Sequence, residues 1–331
     1  MSINNITILG DGGWGTSLAI MLSKKGYRIT LWSAFKDYAQ VLNKKRINTK
    51  FLPGIKIPKN IEITNNLENI KNSELIILTI PSIYLRSVLK RLKHINLKNK
   101  ILVSAIKGIE NKTLLRMSEV IAQELGNVKV AVLSGPTIAR EVAQFLPTTA
   151  VIACNSTKTA LVLQHVFMTP RFRVYRHSDI AGVELGGSLK NVIAIACGIS
   201  DGLGFGTNTK AALLARGLAE ICRLGKKLGA SEKTFGGVSG LGDLVTTCIS
   251  TYSRNRIVGE QLGKGKTTKT IMKKMEMVAE GVYTVKAAYA LSKKYKVDMP
   301  ITKEIYNVIY NNKLPVKAVN DLMTRSKKSE I

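Results

Sequence analysis

The chain has 331 residues, 45% of them hydrophobic, and carries 50 Lys and Arg against 22 Asp and Glu, a formal net charge of +28. That length exceeds one ordinary domain and suits two, and the hydrophobic content is that of a soluble globular protein. No basic region and apolar stretch precede the first strand, and the longest clean apolar runs, such as Leu75-Ile76-Ile77-Leu78, fall far short of the ~20 residues of a membrane span, so a cytoplasmic protein without signal peptide or span is expected. Asn5-Ile6-Thr7-Ile8-Leu9 then runs into Gly10-Asp11-Gly12-Gly13-Trp14-Gly15 and an apolar-faced segment, Thr16 to Ser23. A short strand, a G-x-G-x-x-G turn and a helix in that order predict a dinucleotide site. Gly10 allows the tight turn, Gly12 lets backbone approach a pyrophosphate, and Gly15 lets the helix lie on the strand. The helix start offers free N–H groups to an anion.

Further strands are predicted at Ile29–Trp32, Ile61–Thr64, Leu75–Thr79, Ile101–Ser104, Val130–Leu133, Ala150–Ala153 and Arg173–Tyr175. Helices are predicted between them, at Ile83–Leu92, Leu114–Leu125 and Thr157–Val166. This alternation predicts an α/β Rossmann-type doubly wound sheet, mostly parallel, over residues 1–177. Its carboxyl-end loops, at Thr79–Ser82, Ser104–Gly108 and Ser134–Thr137, are expected around the cofactor. From Ser178 the strand alternation stops. Helical spacing at Lys210–Leu228, Thr267–Met277, Tyr283–Lys294 and Thr302–Tyr310 predicts an all-α domain over 178–331, the two domains sharing a cleft.

Segment Val183–Phe205 contains one basic residue, Lys190, in a chain that has 50. Two readings stand: a lysine on a solvated helix face, or one whose apolar surroundings lower its pKa into the range of a general acid. Ser239-Gly240-Leu241-Gly242-Asp243-Leu244 places a carboxylate in a glycine-rich bend, either a plain turn or an acid that holds a catalytic lysine. Ser253-Arg254-Asn255-Arg256 gathers cationic and amide donors, and arginine matches phosphate geometry. Together they point to a small phosphorylated substrate.

The basic residues are scattered over the whole chain. Compositional bias, steering of anionic small molecules and a nucleic-acid surface all account for the charge, the last least well, because no arginine-rich tail or aromatic-interleaved stripe is present. Cys154, Cys197, Cys222 and Cys248 show no C-x-x-C pair, and His94, His165 and His177 no ligand spacing. Neither a disulfide framework nor a metal is expected.

The motifs resemble those of the bacterial NAD(P)-dependent glycerol-3-phosphate dehydrogenases over nearly the whole chain. The matching stretches are GDGGWGTSLA at the start, Phe51-Leu52-Pro53-Gly54, SAIKGI around Lys107 and SGPTIAREV at 134–142. They continue with GVELGGSLKNVIAIACGISDGLGFGTNTKAAL at 182–213, GLGDLVTTC at 240–248, SRN at 253–255 and VAEGV at 278–282. The resemblance implies a Rossmann domain followed by a helical substrate domain, and reduction of dihydroxyacetone phosphate to sn-glycerol 3-phosphate for phospholipid synthesis. It implies Lys190 as general acid–base residue, Asp243 as the acid beside it, and Lys107 in contact with cofactor and substrate. Gly135, Thr137 and Ala139 would line the substrate and cofactor sites. Ser253, Arg254 and Asn255 would bind the substrate phosphate, Arg254 also touching the cofactor. Gly13 and Trp14 belong to the dinucleotide turn, and Val278 and Glu280 to late cofactor contacts. A hydroxyacid or 6-phosphogluconate dehydrogenase would share the first half but lack the paired GLGDL and SRN clusters.

Two departures bear on the cofactor. Asp11 stands where Ala is commoner in the family, an acid beside a pyrophosphate, and its role is open. After the second strand, Ser33-Ala34-Phe35-Lys36 offers neither the acid of an NAD-selective enzyme nor the arginine of an NADP-selective one. Lys36 inclines the reading to NADPH, with NADH also usable. A homodimer through the helical half is compatible with the sequence, though no seam stands out.

Overall fold

The structure, a computed structural model, describes residues 3–327 and 329–330. Eight strands form one sheet: β1 (Asn5–Leu9), β2 (Arg28–Trp32), β3 (Ile61–Thr64), β4 (Leu75–Leu78), β5 (Ile101–Ser104), β6 (Lys129–Ser134), β7 (Thr148–Ala153) and β8 (Phe172–His177). Their order is β3-β2-β1-β4-β5-β6-β7-β8. All neighbours are parallel except β6 and β7, which run antiparallel and turn the last two strands against the rest. Each predicted strand is present.

Among the described residues, six α-helices and a 3-10 turn at Leu67–Asn72 join the strands: α1 (Gly13–Lys24), α2 (Lys36–Lys45), α3 (Ser82–Lys90), α4 (Met117–Leu125), α5 (Ala139–Ala143) and α6 (Thr157–Phe167). Leu18, Leu22, Leu42 and Leu163 pack on one face of the sheet, and Leu85, Leu89, Val120 and Ile121 on the other. A strand covered on both faces reads as a continuous apolar run. That is why Leu75-Ile76-Ile77-Leu78 is wholly buried. The register pairs Leu9 with both Trp32 and Leu78, so the carboxyl ends of β2, β1 and β4 lie level. Strand order reverses between β1 and β4, which opens a crevice above them.

The second half is helical: α7 (Ile180–Gly202), α8 (Thr207–Lys227), α9 (Glu232–Phe235), a π-helical turn at Val238–Gly242, α10 (Asp243–Ile249), α11 (Arg254–Gly263), α12 (Thr268–Lys274), α13 (Glu280–Lys294), α14 (Pro300–Tyr310) and α15 (Pro315–Met323). The expectation that no segment spans a membrane stands, although one helix, α7, reaches the length of a span. Its 23 residues are long and apolar enough to cross a bilayer, and 89% of its most apolar window is buried inside the protein. A helix that is apolar all round is the axis of a core. Every residue from Gly182 to Ser200 is buried. α11 crosses it at main-chain contact. A Cβ on Gly198 would lie 2.0 Å from the Arg256 carbonyl, and one on Gly259 would lie 2.0 Å from the Ile195 carbonyl.

One buried acid belongs to this frame rather than to the site. Glu220 on α8, 1% exposed, accepts from the backbone N–H of Ile301 (2.5 Å) and Thr302 (3.0 Å) and from the Thr302 hydroxyl (2.8 Å). It thus serves the open donors of the first turn of α14. Burial pushes its carboxyl up to about 7 against those hydrogen bonds. Between the unfolded value and about 7 the folded chain holds a proton that the unfolded chain has lost. Stability therefore falls as pH rises through that window, by up to roughly 3 kcal/mol. Glu220→Gln should remove this slope, read as the difference between the two chains in denaturant unfolding at pH 5 and pH 8. A difference independent of pH would sink the assignment.

Candidate active site

The glycine turn lies at the carboxyl end of β1. Gly10 has φ +118°, and a Cβ on Gly15 would sit 1.9 Å from the Gly10 carbonyl, so the turn and the start of α1 demand both glycines. A Cβ on Gly12 would meet nothing within 4 Å, so this flank of the turn is open. No side chain caps α1, and its first turn holds no acid. The indole Nε1 of Trp14 is buried with no hydrogen-bond partner. Bare N–H groups beside an open flank suit a pyrophosphate, so the residues present fit a dinucleotide.

The Asp11 carboxylate reaches across to the end of β2. Its Oδ2 accepts from the Ser33 hydroxyl at 2.6 Å, at the end of β2. Burial raises its pKa, while the Ser33 bond and the charge of Lys50 pull it down. Its carbonyl accepts from Asn48 Nδ2 (2.7 Å), which also reaches Thr16 Oγ1 (2.8 Å), while Tyr38 donates to Asn48 Oδ1 (2.7 Å). Asn48 is wholly buried and clamps the turn.

Deeper in the cleft, one carboxylate holds two ammonium groups. Lys190, from the middle of α7 and only 5% exposed, contacts Asp243 Oδ1 and the Thr247 hydroxyl. Lys107, from the loop after β5, donates to Asp243 Oδ2 (2.7 Å) and to the Gly135 carbonyl (2.8 Å), with the Thr137 hydroxyl at 3.4 Å. Lys190 is therefore not on a solvated face. Burial lowers its pKa to about 8; Asp243 opposes the shift and the charge of Lys107 adds to it. Nor is the GLGDL run a bend: it is the π-helical turn that feeds α10, and Asp243 stands in the first turn of that helix, where a carboxylate is favoured.

The SRN run begins α11. Ser253 caps it, accepting from Arg256 N–H (3.3 Å). Asn255 Nδ2 donates to Asn191 Oδ1 (2.9 Å), and Asn255 Oδ1 accepts from Gly281 N–H (2.9 Å). Since Asn191 follows Lys190 and Asn255 follows Arg254, this bond sets the two cations on adjoining backbones. Arg254 is solvent-accessible yet closely surrounded by protein, as befits a cleft lining, and donates to the Val278 carbonyl (2.7 Å). Glu280 accepts from the Ser82 N–H (2.8 Å) and hydroxyl (2.5 Å) at the start of α3. Burial raises its pKa against those bonds and the charge of Arg254. Arg256 turns elsewhere, to Asp201.

Three groups of predicted residues emerge. Lys107, Gly135, Thr137, Lys190 and Asp243 meet directly. Ser253, Arg254, Asn255, Val278 and Glu280 adjoin them through Asn191. Gly10, Gly12, Gly13, Trp14 and Gly15 form the turn. Ala139 borders that turn, its carbonyl accepting from Ser17 of α1 (2.7 Å). The sequence reading missed Asn48, Ser82, Asn191 and Thr247. Only Thr247 left a signal: it follows Asp243 by four residues, one helical turn, and donates to the Asp243 carbonyl (2.7 Å).

Residues 5–160 match the model of the NAD-dependent glycerol-3-phosphate dehydrogenase N-terminus, and residues 179–320 that of its C-terminus. The chain is 48% identical over 329 residues to the glycerol-3-phosphate dehydrogenase (NAD(P)+) of Fusobacterium nucleatum, covering 98% of each chain. It is 50% identical over 327 residues to that of a Thermoanaerobacter species, again covering 98% of each. Its structure superposes with a TM-score of 0.95 on the glycerol-3-phosphate dehydrogenase of Coxiella burnetii, at 37% identity over 98% of this chain and 99% of that one. The chain belongs to the NAD(P)-dependent glycerol-3-phosphate dehydrogenase family.

Proposed function

We propose that the chain interconverts dihydroxyacetone phosphate and sn-glycerol 3-phosphate with a nicotinamide dinucleotide, NADH or NADPH, with Lys190 as proton donor and acceptor. The observation that carries this reading is the buried Lys190, its proton affinity lowered to about 8, on a backbone adjoining that of Arg254. When bound, the nicotinamide supplies a hydride to the carbonyl carbon of the ketone. Lys190 gives its proton to the carbonyl oxygen, on which negative charge develops, a step worth typically 10²–10⁴ in rate. Asp243 keeps the ammonium of Lys190 in place, and Lys107 adds positive potential beside the same oxygen. Arg254 and Asn255 grip the phosphate, so binding energy remote from the carbonyl fixes its position. Trp14, Ala139, Val278 and Glu280 border the dinucleotide along the cleft.

The same reading sets the boundary between cofactor and substrate domains at residues 177 and 178. It places the enzyme in the cytoplasm, supplying the glycerol backbone of phospholipids, with homodimerisation through the helical half.

Lys190→Ala should lower kcat for ketone reduction by about 10²-fold or more while the chain still folds and binds dinucleotide; near-normal turnover would remove Lys190 from the reaction. Because the proton donor must be protonated, kcat/KM for reduction should decline above pH about 8 in the unsubstituted chain. Arg254→Ala should act chiefly on KM, raising it by roughly tenfold or more, as loss of a charge-assisted phosphate contact does. An unchanged KM would move the phosphate to other residues.

A further inference from the structure

In dinucleotide-binding sheets the residue after β2 meets the adenosine ribose: an acid there accepts the 2′-hydroxyl, and an arginine receives a 2′-phosphate. Here that position is Ser33, wholly buried, and neither it nor Ala34, Phe35 or Lys36 supplies an acid. The structure supplies one from elsewhere. Asp11, inside the glycine turn, reaches across to Ser33 Oγ at 2.6 Å and brings its carboxylate to the end of β2. Ser33 is itself fixed, its N–H donating to the Thr64 carbonyl at 2.8 Å. Ser33 is the one side chain that donates to this carboxylate among the described residues, and the backbone N–H of Asp11 stabilises it too. Oδ1 accepts from no other side chain among the described residues, and Asp11 is only partly buried. The main chain of Asp11 is held by Asn48, so the carboxylate has little freedom to swing away.

Resting on the function proposed above, we propose that Asp11 sets the cofactor preference: its carboxylate, aimed by Ser33, accepts the ribose 2′-hydroxyl of NADH and repels the 2′-phosphate of NADPH. The acid missing from the end of β2 is thus provided by the turn of β1, and the chain favours NADH. This reverses the inclination to NADPH that Ser33–Lys36 suggests when read alone. The cations of the neighbourhood do not decide otherwise. Lys50 acts on Asp11 and helps keep it ionised, and among the described residues Lys36, at the exposed start of α2, makes no ion pair with it. A 2′-phosphate would bring about two negative charges against a fixed carboxylate in a partly desolvated site, where like charges repel strongly.

The test is equilibrium binding by calorimetry, without substrate or turnover. The ligands are NADH, NADPH, 5′-AMP and adenosine 2′,5′-bisphosphate. The unsubstituted chain should bind NADH about tenfold or more tightly than NADPH, as a hydrogen bond to a charged group warrants. 5′-AMP should exceed the bisphosphate in the same sense. Asp11→Asn keeps an acceptor for Ser33 and removes the charge, so both ratios should shift toward the phosphorylated ligand by roughly tenfold. Ser33→Ala, which leaves the carboxylate unsteered, should narrow the NADH advantage less. Should Asp11→Asn fail to fold, the ratios for the unsubstituted chain still decide. NADPH binding as tightly as NADH, or ratios unmoved by Asp11→Asn, would overturn the assignment of Asp11 alone. Binding of neither dinucleotide would overturn it together with the proposed function.

Discussion

Everything in the cleft hangs on one carboxylate shared between two ammonium groups. Lys190 sits in the middle of an apolar helix with almost no access to water, a place where a lone charge is strongly disfavoured. Asp243, 1% exposed, is its counterion, and it also takes Lys107. The three groups arrive from three parts of the fold: α7, the start of α10, and the loop after β5. Removing one partner from such a buried pair costs about 3–5 kcal/mol, because the other charge is stranded. The cluster therefore ties the sheet domain to the helical domain as firmly as it positions a proton. With two cations for one anion the cluster is net positive, and burial together with the charge of Lys107 lowers the pKa of Lys190.

The rest of the architecture brings groups to that cluster. The level carboxyl ends of β2, β1 and β4 place the glycine turn, Ser33 and Thr79 around one crevice. Thr79 Oγ1 donates to the carbonyls of Leu9 and Gly10 (both 3.0 Å), fixing the turn from the β4 side. Glu280, at the head of α13, satisfies both the N–H and the hydroxyl of Ser82, at the head of α3. A carboxylate between two helix starts is well placed electrostatically. It makes a second bond between the domains, from α13 to α3.

Much of this was legible in the sequence because period and punctuation are local. All eight strands could be read from short apolar runs, and the glycine turn from its neighbours in the chain. Lys190 was visible as the one cation in a long stretch, Val183–Phe205. What the sequence concealed lies in contacts between distant segments. Asp11 looked misplaced beside a pyrophosphate because its partner, Ser33, is 22 residues away and the direction of its side chain is set by tertiary structure. Asn48 and Asn191 are ordinary amides until folding surrounds them with donors and acceptors. The GLGDL run carries three turn-like features and is nonetheless helical, since packing against α7 outweighs the weak helix preference of glycine. The length of α7 was hidden by glycines and by polar residues, Glu184, Ser188, Lys190 and Asn191, that interrupt its apolar run yet are buried with it.

The main-chain crossing of α7 and α11 divides the helical domain into two kinds of position. Around it, apolar side chains can be exchanged one at a time for others of similar volume at modest cost. At Gly198 and Gly259 no smaller residue exists, and the obstacle in each case is a carbonyl of the opposite helix, which no substitution there can shrink. The separation between the helix of Lys190 and the helix of Arg254 is then set by two hydrogen atoms where side chains would otherwise be.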